Sequence, residues 1–320
     1  MAVGQEQAVT AGKVRLLEDS LAEVIRGKQD AIRLSLVCLL AKGHLLIEDV
    51  PGVGKTTLAQ ALARSVRCGF HRLQFTADML PSDVLGVTIF NAQTREFEFK
   101  RGPVFTNFLL ADEINRSTPK TQSALLEVMN EAQVTIDGHS YPLDPPFMVI
   151  ATQNPAEHHG TYPLPESQLD RFLLRIRIGY PDALSERQIL RQNGDHGAGW
   201  PGEGMLHPDD VLRLQEQACQ VAVDDSLADY ILAIAAKTRQ HDALSLGVSP
   251  RGTQALFRAA QAMALVEGRD YVIPDDIKHL VVAVWAHRVV VNSRVSLAQR
   301  GTETATRILN EIVTLVDVPL

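Results

Sequence analysis

The sequence predicts an α/β chain in which a parallel sheet, covered on both faces by helices, is followed by a smaller helical domain. Three observations carry this reading. Short apolar runs alternate with amphipathic segments through the first half of the chain, the pattern of strands buried on both faces. A glycine-rich turn joins the first of those runs to a helical period, and no strand pattern recurs beyond Ile178. At 320 residues the chain exceeds the usual size of one domain and suits two that share an interface.

Leu16, Leu17, Leu21, Val24 and Ile25 fall on one side of a helix expected over about 13–25, and Arg26-Gly27 breaks it. A second, more apolar helix runs to about Ala41. Five strands are expected over 45–47, 71–75, 108–111, 147–151 and 173–178. Two hairpins interrupt them. One covers 87–99, with Ile89, Phe90, Phe97 and Phe99 flanking a polar NAQTRE and projecting from the second helix of the core; the other covers 134–143 around Asp137-Gly138. Both read as arms that contact partners. A turn at 179–182 puts the domain boundary near Pro181, giving a core over 1–180 and a helical domain over 181–320, with a Gly-rich linker over 194–204. Helices in the second domain are expected to start at Asp209-Asp210, Asp224-Asp225-Ser226, Ser249-Pro250 and Pro274-Asp275-Asp276, each placing a capping side chain or a proline before an apolar period.

Composition narrows the function classes. Thirty-one basic residues against 38 acidic give a formal charge of −7, which argues against a protein that lives on nucleic acid. Cys38, Cys68 and Cys219 are too far apart for a CxxC pair and read as reduced, packed thiols of a cytoplasmic protein. No apolar run approaches the roughly 20 residues that span a bilayer, and the N-terminus lacks the order of a secretory signal. His139 and His158-His159 lack the companions of a metal site; Trp200 reads as a loop anchor and Trp285 as a core residue.

The segment HLLIEDVPGVGKTT, residues 44–57, has the order strand, Gly-rich turn, helix. Gly52 and Gly54 allow successive N–H groups to face an anion, and the helix that follows adds the positive end of its dipole. Lys55 would reach the β- and γ-phosphates of a nucleotide, and the Thr56 hydroxyl would ligate Mg²⁺. The first Gly of the GxxxxGK[ST] pattern is Asp49 here, and the bland alternative is an ordinary strand-to-helix turn with a lone Lys.

A metal shell needs an oxygen ligand from a second strand end. FLLADE supplies Asp112 for that shell and Glu113 as general base, although an acidic turn closing a buried strand would read the same in isolation. A third strand runs into Asn154, whose amide could orient water beside the γ-phosphate or simply start an Asn-Pro turn. All three candidates fall at carboxyl ends of strands, where open parallel sheets bind ligands. Arg171, just before the last strand, either enters the site of a neighbouring subunit or pairs with Asp170 or Glu166. Arg251 puts positive charge into the first turn of a helix capped by Ser249, where the dipole opposes it by about 0.3–1 kcal/mol unless an anion is near. An Arg whose head swings into solvent is the alternative there.

Taken together, IEDVPGVGKTTLAQALA, LLADEINRSTPKTQSALLEVMNE, ATQNPAEHHGTYPLPESQLDRFLLR and SPRG resemble the MoxR family of AAA+ ATPases over nearly the whole chain. The third stretch is the most specific, because generic AAA+ proteins do not carry GTYPLPESQLDRF. The resemblance implies a P-loop NTPase αβα core with a five-stranded parallel sheet and a helix-2 insert, plus an all-helical lid. It makes Gly52, Val53, Gly54, Lys55, Thr56 and Thr57 the Walker A loop, with Pro51 beside them and Ile25 and Gly27 as contacts to the base. Asp112 and Glu113 become Walker B, Asn154 sensor 1, Arg171 the arginine finger and Arg251 sensor 2. It further implies ATP/ADP and Mg²⁺ as ligands, a ring that is usually a hexamer, hairpins facing the pore or substrate, and a client protein with a von Willebrand factor A domain partner.

Three functions compete on this sequence. The leading one is an ATP-hydrolysing motor that remodels or matures other proteins. A nucleic-acid motor would need a basic surface, for which Lys100-Arg101 is the only tempting pair, and a solvated strand end explains that pair equally well. A nucleotide-gated scaffold that barely turns over is opposed by Glu113 and Asn154.

Overall fold

The computed structural model describes residues 2–154, 161–191, 204–292 and 301–319. Helices α1 (Ala2–Val24) and α2 (Gln29–Leu40) are separated by a turn in which Gly27 takes φ +70°, a region glycine enters without a Cβ penalty. Helix α1 starts well before the expected residue 13, because its first turns carry small and polar residues with no apolar period to read. The core continues through β1 (Leu45–Glu48), α3 (Lys55–Ser65), β2 (Phe70–Gln74), α4 (Pro81–Leu85), β3 (Gly86–Asn91), β4 (Glu96–Arg101) and β5 (Phe108–Asp112). After a 3₁₀ turn at Ile114–Arg116 come α5 (Pro119–Glu131), β6 (Gln133–Ile136), β7 (His139–Pro142), β8 (Met148–Gln153), α6 (Glu166–Leu169), β9 (Leu174–Ile176) and α7 (Ala183–Arg191).

The five expected strands form one parallel sheet in the order β2-β5-β8-β1-β9. Successive side chains on its central strands go to opposite faces, as the two-residue repeat requires. Leu45, Ile47, Phe108, Leu110, Met148 and Ile150 join the core beneath α1, α2 and α3, whereas Leu46, Leu109, Ala111, Val149 and Ala151 join a second core that includes Leu125 and Leu126 of α5. Both faces of these central strands are thus sealed, and β1, β5 and β8 read as apolar runs for that reason, whereas the edge strand β2 is polar and largely exposed.

Both hairpins are present. The β3–β4 arm grows from the single turn of α4, and β6–β7 turns at Asp137 (φ +52°) and Gly138 (φ +79°). At the root of the first arm Gly86 has φ +107°, and a Cβ there would meet the Lys100 carbonyl oxygen at 2.3 Å. Phe90 and Phe97 are exposed at its far end and pack edge to face, with centroids 5.4 Å apart. The arms also touch each other: Phe99 stacks on Tyr141 at 4.4 Å, and the Thr88 hydroxyl donates to Asp137 Oδ2 at 2.8 Å.

The C-terminal region consists of α8 (Pro208–Gln220), α9 (Asp225–Gln240), α10 (Pro250–Val266), α11 (Pro274–Trp285) and α12 (Gly301–Leu315). Asp224 and Ser249 cap α9 and α10 by accepting from Ser226 N and Gly252 N, and Asp210 and Asp276 accept the N–H groups of His207 and Ile273 at the starts of α8 and α11. One feature departs from an all-helical lid: β10 (Leu244–Leu246) and β11 (Val290–Val291) make a short antiparallel pair, too brief to leave a strand signature in the sequence. Cys219, expected to pack inside, is exposed on the last turn of α8, while Cys38 is buried. Trp285 is fully buried as expected and donates from Nε1 to the Gly252 carbonyl at 2.8 Å. His158-His159, Trp200 and most of the Gly-rich linker lie outside the described residues. No helix among the described residues is long and apolar enough to cross a membrane.

Helices α8 and α10 of the lid pack against α2, and among the ion pairs between lid and core in the described residues the most buried is made by Arg288. Arg288, almost wholly buried, donates from Nε to Asp170 Oδ1 at 2.7 Å and also to the carbonyls of Asp170, Phe172, Leu173 and Val284. His287 adds Nε2–H to the Phe172 carbonyl at 3.0 Å. Burial pulls the Arg288 guanidinium down to about 10, against the opposing pull of Asp170.

Candidate active site

The ends of β1, β8 and β5 lie side by side, because β8 pairs with both of the others. Register sets Glu48 opposite Gln153 and Ala111 opposite Ala151, so the Lys55 loop, Asn154 and the Asp112-Glu113 pair leave the sheet at neighbouring points of one edge. That is where a parallel sheet offers a crevice.

The loop after β1 is shaped as a phosphate cradle. Gly52 (φ +84°) and Gly54 (φ +93°) hold left-handed conformations, and a Cβ at either would project into open space, so no neighbour fills the concavity. Gly54 N-caps α3, whose first residues are Lys55, Thr56 and Thr57, all half-buried; Pro51 is exposed and Val53 half-buried beside them. The Lys55 ammonium donates to the Asp49 carbonyl at 2.7 Å. Asp49 itself turns its carboxylate away from the loop mouth and accepts N–H bonds from Val50 at 2.8 Å, Ile178 at 2.8 Å and Gly179 at 2.6 Å. The glycine missing from the sequence pattern therefore leaves the cradle intact.

Asp112 is buried at the end of β5. Its Oδ1 accepts from the Thr152 hydroxyl at 2.6 Å, and its Oδ2 accepts from Arg72 Nη2 at 2.6 Å and Nε at 3.1 Å. Glu113 stands in a left-handed conformation (φ +55°), unusual for a residue with a side chain and a form of local strain that collects at functional sites. Its N–H donates to Thr152 Oγ1 at 2.9 Å, and its Oε2 accepts from Gln74 at 2.7 Å and Arg116 at 2.9 Å. Asn154 is buried at the end of β8. Thr152, Arg72, Gln74 and Arg116 escaped the sequence reading. Register is what reveals the first three: Gln74 pairs with Asp112 across β2 and β5, Arg72 lies two residues before it on the same side, and Thr152 is on the strand adjoining β5.

The donor set suits Mg²⁺ bound together with phosphate oxygens. Thr56 and Asp112 offer one hydroxyl and one carboxylate, and among the described residues no cluster of three or more His, Cys, Asp or Glu builds a self-sufficient metal cage. Ile25 is buried at the end of α1, and Gly27 sits so close to the segment after β9 that a Cβ would meet Ser185 Oγ at 2.8 Å.

The two arginines occupy the other edge of the sheet. Arg171 donates to the Leu126 carbonyl of α5, and Asp170 pairs with Arg288, so the simple ion pair of Arg171 with Asp170 or Glu166 is not formed. Arg251 Nη2 donates to Asn130 Oδ1 at 2.6 Å, on the last turn of the same helix. Burial first, and then the charge of Arg251, hold Arg171 below the ordinary guanidinium value. Arg251 also bears on buried His44, which precedes β1. The Lys55 loop leaves the opposite end of β1, separated by a four-residue strand or about 13 Å. Neither arginine is brought to the loop of its own chain.

The profile of the ATPase family associated with various cellular activities (AAA) matches residues 44–174, and that of the AAA lid domain matches 236–312. The chain is 44% identical over 293 residues to chaperone MoxR1 of Mycobacterium tuberculosis, covering 88% of this chain and 77% of that one. It belongs to the MoxR family of AAA+ ATPases. The chain is also similar to the uncharacterized protein YeaC of Bacillus subtilis, 51% identical over 302 residues (94% of this chain, 93% of that one), and to protein MoxR of Methylorubrum extorquens, 31% identical over 297 residues (85% and 86%). A crystal structure from Cytophaga hutchinsonii, described as a candidate ATPase, superposes with a TM-score of 0.91 at 38% identity and covers 100% of this chain and 98% of that one. The P-loop core with its lid is therefore the fold of this MoxR-family ATPase.

Proposed function

We propose that this MoxR-family chain is a Mg-dependent ATPase that works as a ring, usually of six subunits, and spends hydrolysis on the maturation or assembly of a client protein. The observation that carries the reading is the split between the two sheet edges. The cradle, Asn154 and the acids share one edge, while Arg171 and Arg251 share the other. A site divided in this way is completed by a second copy set head to tail, so that each interface joins one subunit's cradle to its neighbour's arginines. The chaperone role is supported by the name of the Mycobacterium tuberculosis relative.

In the proposed reaction water attacks Pγ, the bond from Pγ to the β–γ bridging oxygen breaks, and ADP leaves with the electron pair. Glu113 takes the water's proton on Oε1, while Gln74 and Arg116 hold Oε2 and orient the carboxylate. Asn154 orients that water, Lys55 exchanges the Asp49 carbonyl for phosphate oxygen, and Arg171 of the adjoining subunit offsets charge on the transferring group, an effect of about 10³ to 10⁵ in rate. Mg²⁺, held by Thr56 and Asp112, would neutralise phosphate charge. Ile25 and Gly27 are assigned to the base side. The exposed Phe90 and Phe97 make the first hairpin the apolar contact for a client, and a von Willebrand factor A domain protein is the proposed partner. The core is proposed to end near residue 180, and the compartment is proposed to be the cytoplasm.

Steady-state turnover of purified protein tests the site. Lys55→Ala should weaken nucleotide binding about tenfold or more, and Glu113→Gln should bind normally yet hydrolyse at least about 100-fold more slowly. Unchanged turnover in both variants refutes the assignment. Mass in solution with and without nucleotide tests the ring, and affinity capture on Glu113→Gln identifies the client.

A further inference from the structure

Asp49 is the residue at which this chain departs from the common phosphate-loop pattern, and the reaction proposed above makes no use of its side chain. Its surroundings give it a different task. The side chain is buried, and two of the three N–H groups it accepts belong to Ile178 and Gly179, 129 and 130 residues away in sequence. Those residues begin the strap 178–185 that leads out of β9. The strap in turn clasps the turn between α1 and α2: Lys28 Nζ donates to the Tyr180 carbonyl at 2.6 Å, and Gly27 packs against Asp182 and Ser185. Within the strap Asp182 Oδ1 accepts Ser185 N–H at 2.7 Å, which fixes the start of α7.

The main chain of Asp49 faces the other way. Its carbonyl accepts the Lys55 ammonium, and its N–H donates to the Gln153 carbonyl at 3.2 Å, one residue before Asn154. A glycine at position 49 would preserve these main-chain bonds and lose the side-chain ones. We infer that Asp49 is a positioning residue that couples occupancy of the phosphate loop to the strap 178–185. Phosphate draws Lys55 off the Asp49 carbonyl, the Asp49 peptide is released to adjust, and its carboxylate carries the adjustment to Ile178 and Gly179. A charged acceptor with three N–H donors is a stiff link, because such bonds are shorter and stronger than neutral ones. This inference rests on the reading of 51–57 as a nucleotide site.

The test is amide hydrogen exchange of peptides covering 178–185, with and without saturating Mg-ADP, in the full-length wild type and in Asp49→Asn. Mant-ADP fluorescence titration is run on the same samples. The Asn side chain keeps the volume but has no charge and only one acceptor oxygen, so it cannot serve the Val50 N–H together with those of Ile178 and Gly179, and the charge-assisted link is lost with the loop sequence otherwise intact. In wild type ADP should slow exchange in the strap by about fivefold or more. In Asp49→Asn the affinity for mant-ADP should stay within about threefold while the ADP-dependent difference in the strap disappears. A residue that merely supports the fold would raise exchange equally in both states and leave the difference in place, which overturns the inference. So does a wild type that binds mant-ADP with no change in the strap, or an Asp49→Asn variant whose affinity falls about tenfold or more. Wild-type protein that fails to bind mant-ADP sinks the nucleotide site itself and is recognised by the titration alone. Should Asp49→Asn fail to fold, Asp49→Ser, which shortens the side chain out of reach of the strap, is read by the same criteria.

Discussion

Replacing His44 by Gln should flatten the acid limb of the stability curve. His44 is buried, with Nε2 2.9 Å from the Met129 carbonyl and Nδ1 3.0 Å from the Val149 N–H. A carbonyl can only accept and an N–H can only donate, so the ring is neutral with its proton on Nε2. Protonating Nδ1 would break the bond to Val149 and bury a cation. Burial, aided by the charge of Arg251 and opposed by the Met129 bond, pushes the pKa down to about 4. The unfolded chain takes up that proton near pH 6.5. The contribution is therefore complete above pH 6.5 and is lost as pH falls through this window to about 4. A separation of about 2.5 in pKa, at 1.36 kcal/mol each, amounts to roughly 3 kcal/mol. His287, also buried and held well below its usual value by burial and by Arg288 and Arg175, drains stability in the same direction, so the wild type loses more than His44 alone accounts for. The difference between wild type and His44→Gln isolates the share of His44. Gln can donate and accept in the same places and does not titrate. Urea midpoints followed by circular dichroism at pH 7.5, 5.5 and 4.5 should converge as pH falls, because the wild type loses most of its advantage over a variant whose residue 44 does not titrate. Equal losses in the two proteins would refute the assignment of the buried neutral ring.

Arg288→Met should cost about 3 to 5 kcal/mol in chemical denaturation, because it leaves Asp170 without its buried partner, and adding Asp170→Asn should recover part of the loss. Arg171→Ala should lower turnover at least about tenfold, and mixing it with Lys55→Ala subunits should restore activity, because the second variant still offers an intact Arg171 to the first one's cradle; no recovery argues against a role across subunits. Gly86→Ala should destabilise the root of the first arm by about 2 kcal/mol or more, since its φ of +107° and the Lys100 carbonyl both oppose a Cβ, and limited proteolysis should then cut within 86–101.

Much of the core was legible because its signals are local. The cradle is written in PGVGKTT, and the two acids follow four apolar residues that form a buried strand. The proline and capping residues at 249–250 and 274–276 place two lid helices to within a residue. What escaped depends on distance in sequence. Arg72 and Thr152 meet Asp112 across 40 residues, and Arg288 meets Asp170 across 118, through a strand order that periodicity does not encode. For Arg171 the sequence offered an acid next door, yet Asp170 is already engaged by Arg288 and Arg171 turns to a backbone carbonyl instead. The β10–β11 pair escaped because strands of three and two residues contain too few alternations to stand out.

The stacking of Phe99 on Tyr141 has a mechanical consequence. Separate arms would each bend on their own root; joined by that aromatic contact and by the Thr88–Asp137 bond, they behave as one lever. Its short end is α5, since Ala132 alone stands between that helix and β6. The final turns of α5 are also where Leu126, Met129 and Asn130 hold Arg171, His44 and Arg251. The seat of both arginines is therefore joined to the Phe99–Tyr141 contact by packed side chains and α5, with Ala132 as the single residue between that helix and β6.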